Sequence, residues 1–85
     1  MRKIKVALKA VKFLRNLPED YKNAIKKRLK ELEDELMPRG AIQLVGQEKC
    51  YRIRVGPFRI QYHYIEKEDV ILIYRISKRS GTTYK

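Results

Sequence analysis

The sequence predicts an α+β fold, with a small antiparallel sheet packed against two N-terminal helices, and three observations lead to it. Residues 50–64 alternate apolar and polar side chains along two arms around Gly56-Pro57, the pattern of a β-hairpin. Tyr21, Ile25, Leu29, Leu32 and Leu36 recur at spacings of four, four, three and four, which lines up one apolar face of a helix. The run Val70-Ile71-Leu72-Ile73-Tyr74-Arg75-Ile76 is nearly continuous in apolar character, as expected of a strand flanked by neighbours and covered on both sides. Eighty-five residues suffice for one hydrophobic core and not for two, so 1–85 reads as a single domain.

The elements follow in order. Arg2 to Val6 alternates charged residues with Ile4 and Val6, which suits a short strand with one buried face. Ala7, Ala10, Val11, Phe13, Leu14 and Leu17 fall near helical spacing, and Asn16-Leu17-Pro18 breaks that first helix because proline disfavours helical backbone in the residue before it. Pro18 opens the second helix, where its missing N–H costs nothing, and Glu19 and Asp20 complement the positive end of the helix dipole. Met37-Pro38-Arg39-Gly40 ends it. Residues 41–49 read as a loop with a short extended piece, Glu66-Lys67-Glu68-Asp69 as a polar turn, and Ser77 to Lys85 as a basic tail. The predicted order is strand, helix, helix, then three strands.

A formal charge of +11 points to a polyanionic partner before any motif is considered. The charge is unevenly spread: residues 1–18 and 49–65 are basic without an acid, whereas residues 19–37 are nearly balanced. The positive field therefore belongs to the sheet and the termini. One cysteine, Cys50, and one histidine, His63, provide neither an internal disulfide nor a set of metal ligands, and no cofactor is expected. No apolar run is long enough for a membrane span or a signal core, which predicts a cytoplasmic protein with no membrane partner.

If Gly56-Pro57 is a two-residue loop, Arg54 pairs with Arg59, Arg52 with Gln61 and Cys50 with His63, and Arg52, Arg54, Arg59, Gln61 and His63 share one surface. Like charges directly opposed cost about 0.2–1 kcal/mol per cross-strand pair, so sheet energetics alone would not choose Arg54 against Arg59. An anion between them removes that cost. By the same parity Tyr51, Phe58, Tyr62 and Tyr64 point away from the arginines, into the core.

The element order, with Cys50-Tyr51-Arg52-Ile53-Arg54-Val55-Gly56 leading into Phe58-Arg59-Ile60-Gln61-Tyr62 and the closing Arg75-Ile76-Ser77-Lys78-Arg79 then Tyr84, resembles the RelE/ParE superfamily of type II toxins. The resemblance spans nearly the whole chain, and its most specific part is the spacing of the last three strands with their arginines and final tyrosine. It implies a cognate antitoxin and, for the RelE branch, cleavage of messenger RNA in the ribosomal decoding site by attack of a ribose 2′-hydroxyl on the adjacent phosphate. Such a reaction builds negative charge on phosphoryl oxygens and needs positioned cations. The resemblance assigns Arg54 and Arg59 to transition-state stabilisation, Arg79 to the leaving-group side and Tyr84 to the catalytic set. Arg52, Lys78 and Lys49 are the expected phosphate-binding residues. Bacterial relatives often carry lysines where Arg52 and Arg54 stand. A guanidinium is a poor general base, so proton transfer falls to His63, Tyr84 or Lys78. Tyr84 lies five residues after Arg79, a spacing one residue different from that of relatives. Two other functions fit the same sequence: a gyrase-directed toxin of the ParE type, which would not need the arginines with Tyr84, and a non-catalytic basic protein that binds RNA or DNA through phosphate contacts.

Overall fold

A computed structural model describes residues 2–78; Arg79 and Tyr84 lie outside the described residues. Strand β1 (Lys3–Val6) half-buries Ile4 and Val6 and exposes Lys3 and Lys5. Helix α1 (Leu8–Arg15) follows at once, and the Ala7 N–H ahead of it donates to the Ile73 carbonyl at 2.9 Å. Asn16 closes α1 with its backbone N–H on the Phe13 carbonyl and its side-chain amide on the Lys12 carbonyl. Helix α2 (Glu19–Glu31) starts behind Pro18 and carries Glu19 and Asp20 in its first turn, Arg28 and Lys30 in its last, as the dipole prefers.

The leucine stripe outlasts α2. Leu32 is fully buried, yet it sits in a turn, where Leu32, Glu33 and Asp34 donate to carbonyls three residues back instead of four. Carbonyls that a longer helix would use internally go to tertiary donors: Glu33 accepts from the Arg2 N–H at 3.0 Å, and Leu36 accepts from the Tyr62 hydroxyl at 2.8 Å. Arg28 ties the next loop back with bonds of 2.6 Å to the Glu31 carboxylate and to the Arg39 carbonyl.

Strands β2 (Ile42–Gln43), β3 (Cys50–Val55), β4 (Phe58–Ile65) and β5 (Val70–Lys78) form an antiparallel meander, and β1 joins its far edge beside β5. The sheet order is β1-β5-β4-β3-β2. Two expectations are corrected here. The sheet is mixed, because Ile4 and Val6 of β1 run parallel to Ile71 and Ile73 of β5, and it has five strands because the extended piece at 42–43 pairs with Arg52 and Tyr51. Both helices pack on one face. There Ile53, Ile60, Ile71 and Ile73 are fully buried with Ile25 and Leu32, and Phe58 meets Phe13 and Tyr21 edge to face at centroid distances of 5.9 and 4.9 Å.

The apolar run in β5 has a different origin from the one expected. The β4–β5 register slips between Gln61 and Tyr62, so Gln61 faces Arg75 while Tyr62 faces Ile73, and Tyr74 is the extra residue of a β-bulge. Side chains alternate with period two, so the bulge inverts parity beyond it. Ile71, Ile73 and Ile76 all reach the helix side, and Arg75 is turned to the open face instead of the core. No helix among the described residues is long and apolar enough to cross a membrane.

Candidate functional site

The face of the sheet away from the helices carries the cations, in rows set by strand register. One row runs Arg54, Arg59, Ser77 across β3, β4 and β5; the next runs Arg52, Gln61, Arg75; a third runs Cys50, His63, Leu72. Every hairpin pair expected from alternation is observed, from Val55–Phe58 to Cys50–His63. The turn makes this register possible: Gly56 has φ of +56°, and glycine followed by proline suits the tight turn whose twist matches two antiparallel strands.

Arg59 is the cation held most closely. It is half-buried, and its Nε is shut off from solvent with no hydrogen-bond partner among the described residues. It lines a cavity of about 270 Å³ with Gln61, Arg75, Ser77 and Lys78. The ion pairs among the described residues are Arg28–Glu31 and Lys49–Glu66, so no carboxylate neutralises this group of cations. An anion about 4 Å from each of two guanidiniums gains about 4 kcal/mol from each at an effective dielectric near 20, while two cations about 8 Å apart repel by about 2 kcal/mol. Attraction to a bridging anion wins about fourfold. The arrangement is suited to binding a phosphate, and the planar fork of donors on each arginine fits its oxygens.

The other expected residues are less closely gathered. Lys78 stands opposite Phe58 at the last described position of β5, exposed at the rim of the cavity. His63 is two rows from Arg59, about 13 Å along the strand. Its Nδ1 lies 3.2 Å from the Lys49 carbonyl and 3.4 Å from Cys50 Sγ, so with Nδ1–H donating to that carbonyl, Nε2 is the basic nitrogen. Lys49 precedes β3 at the end remote from Arg54, and its ammonium is paired with Glu66, which pulls its pKa above the usual lysine value. Arg79 and Tyr84 fall outside the described residues.

Arg75 joins the arginine face without having been singled out, since parity counted from Ile71 and Ile73 gives position 75 the core side until the bulge is known. Tyr74 is the exception among the aromatics. Tyr51, Phe58 and Tyr62 are buried in the core, but Tyr74 is half-buried and lines a depression with Gln61 and Gln47. Burial, and after it the Cys50 thiol, push the Tyr74 hydroxyl above the usual tyrosine range.

Comparison with known proteins places this geometry. Residues 4–82 match the ParE toxin family of type II toxin–antitoxin systems, parDE. A protein named as a RelE1 toxin in Methanocaldococcus jannaschii is 28% identical over 81 residues, covering 92% of this chain and 90% of its own. The structure superimposes on the archaeal RelE–RelB complex from Pyrococcus horikoshii with a TM-score of 0.84 at 29% identity, covering 94% of this chain and 97% of that one. The isolated Escherichia coli RelE toxin gives a TM-score of 0.80 at 25% identity, covering 93% and 85%. The chain is a type II toxin of the RelE/ParE superfamily, on its RelE-like branch.

Proposed function

We propose that this toxin is a ribosome-dependent endoribonuclease that cuts messenger RNA in the decoding site and is held inactive by a cognate antitoxin. The observation that carries the reading is Arg59, faced by Arg54 across the hairpin and lining a cationic cavity with no carboxylate among the described residues to balance it. In the reaction a ribose 2′-oxygen bonds to phosphorus, the bond to the 5′-oxygen breaks, and the proton lost by the first oxygen is balanced by one gained by the second. Arg54 and Arg59 stabilise the extra charge on the phosphoryl oxygens, Arg52 and Lys78 steer the flanking phosphates, and Arg79 with Tyr84 serves the leaving group. His63 stands about 13 Å along β4 from Arg59, out of hydrogen-bond reach of a phosphate held between Arg54 and Arg59, so the proton transfer falls to Lys78 or Tyr84, and the Lys49 ammonium is taken up by Glu66. Crystal structures of RelE proteins with RelB from Pyrococcus horikoshii and Methanococcus jannaschii support an antitoxin partner.

The test is cleavage of a defined messenger RNA, with and without programmed ribosomes, by the wild type and Arg59→Ala. Ribosome-dependent cuts lost in the variant, with ribosome binding retained, support the reading. Ribosome binding without any cut by the wild type would assign the face to RNA binding alone.

A further inference from the structure

A second depression adjoins the phosphate-sized cavity. Its volume is about 820 Å³; Tyr74, Gln61, Gln47, Arg75 and Ser77 contribute to its lining, and the Lys9 to Phe13 stretch of α1 supplies another part of its wall. Gln61, Arg75 and Ser77 line both spaces, so the two are continuous. The larger one falls within the range of small-molecule sites, about 300–1,000 Å³.

Its chemistry is divided. Arg75, shared with the Arg59 cavity, and Lys9 of α1 make it cationic, and beside them it offers the half-buried ring of Tyr74 and the side-chain amides of Gln61 and Gln47. A half-buried aromatic ring lining a depression is a stacking platform, and it is sequence-tolerant because every base has a π-face. An amide presents both a donor and an acceptor, the combination that reads a base edge. An acidic peptide would use the cations and leave the ring and the amides idle.

We propose that this depression is a nucleotide subsite, in which an RNA base stacks on Tyr74 with its edge on Gln61 and Gln47 and its phosphate on Arg75 and Ser77. The β-bulge builds it: the extra residue supplies the platform, and the inverted parity supplies Arg75 from the next position. The inference takes its ligand class from the proposed RNA cleavage and adds to it a site where codon preference is set.

The experiment measures binding of a non-cleavable 2′-O-methyl trinucleotide to the isolated protein, with inorganic phosphate and a hexaglutamate peptide as comparison probes. Tyr74→Leu should weaken the trinucleotide at least fivefold and leave phosphate unchanged, whereas Tyr74→Phe keeps wild-type affinity. Arg75→Gln should weaken both and lower the salt dependence by about one counterion. Lys27→Gln, on the helix side, is the control and should leave binding close to the wild type. No trinucleotide binding by the wild type, an unaffected Tyr74→Leu, or a Tyr74→Phe as weak as Tyr74→Leu overturns the proposal. Hexaglutamate bound as tightly and with the same dependence on Tyr74 would transfer the site to an acidic protein segment. The cleavage assay separates the two readings. Trinucleotide binding with these losses but no ribosomal cutting sinks the nuclease and leaves the subsite; cutting by the wild type with normal binding by Tyr74→Leu does the reverse.

Discussion

Replacing Arg59 with methionine should make the protein more stable and less active, two effects of opposite sign from one side chain. Arg59 opposes Arg54 directly, and its Nε is enclosed without a partner among the described residues. Removing the like-charge pair returns about 0.2–1 kcal/mol. Releasing an unpaired enclosed N–H returns part of the full penalty of about 1–3 kcal/mol, the lower part because the residue as a whole is only half-buried. Methionine keeps an unbranched apolar stem in the same slot, so little packing is lost. A net gain of about 1 kcal/mol raises the melting temperature of a domain this size by about 4–8 °C. Loss of one donor to the developing oxyanion charge should slow cleavage by about 10²–10³-fold. Thermal unfolding followed by circular dichroism reads the first quantity, and single-turnover cleavage on programmed ribosomes reads the second. Arg54→Met, alone and combined with Arg59→Met, completes a double-mutant cycle in which the second substitution gains less than the first. A lower melting temperature for Arg59→Met, or strict additivity in the cycle, would refute the reasoning that function here is held against a stability cost.

Three further outcomes follow from the fold. Gly56→Ala should cost about 1–2 kcal/mol in urea unfolding, because φ is +56° and nothing lies within 4 Å of the new methyl, so the whole effect is backbone strain. Tyr62→Phe leaves the Leu36 carbonyl without its donor and should cost about 1–3 kcal/mol. It should also change the alkaline limb of the stability profile. Burial holds the Tyr62 hydroxyl above its unfolded pKa of 10.0, so wild-type stability is full below that pH and falls as pH rises past it, while the variant falls less steeply. Deleting Tyr74 removes the bulge and keeps the phase: with Arg75 directly after Ile73, alternation still sets Arg75 opposite Gln61 on the open face and Ile76 opposite Ile60 on the helix side, so the variant should keep a cooperative urea-unfolding transition.

How much of this was legible in the sequence depends on which force sets each feature. The hairpin register and its arginine face were readable because alternation and a glycine-proline turn are local, and one buried side fixes the phase of every residue between. The end of α2 was not, since the leucine stripe runs to Leu36 and the helix stops at Glu31, where Arg2 and Tyr62 take carbonyls from a distance. The parallel pairing of β1 has no local signal: Lys3 to Val6 reads as a half-buried strand whichever direction its neighbour runs. Arg75 was hidden for a third reason. A bulge leaves a nearly continuous apolar run, and such a run is indistinguishable from that of a strand covered on both faces. The candidate site was thus visible on the hairpin and at Lys78, and hidden at Arg75, which the bulge turns to the open face.

The place of β1 beside β5 carries a consequence for biosynthesis. Lys3 pairs with Val70, so β1 waits 67 residues, 70 minus 3, for its neighbour. Pairings this distant in sequence close late and slowly. Until Val70 to Ile73 emerge, Ile4 and Val6 have no strand to lie against, and the cavity around Arg59 lacks the wall that Arg75 and Ser77 supply. A nascent chain on the ribosome is therefore unfinished at this face until β5 is made: the cavity around Arg59 closes only after the hairpin and Arg75 to Lys78 have emerged.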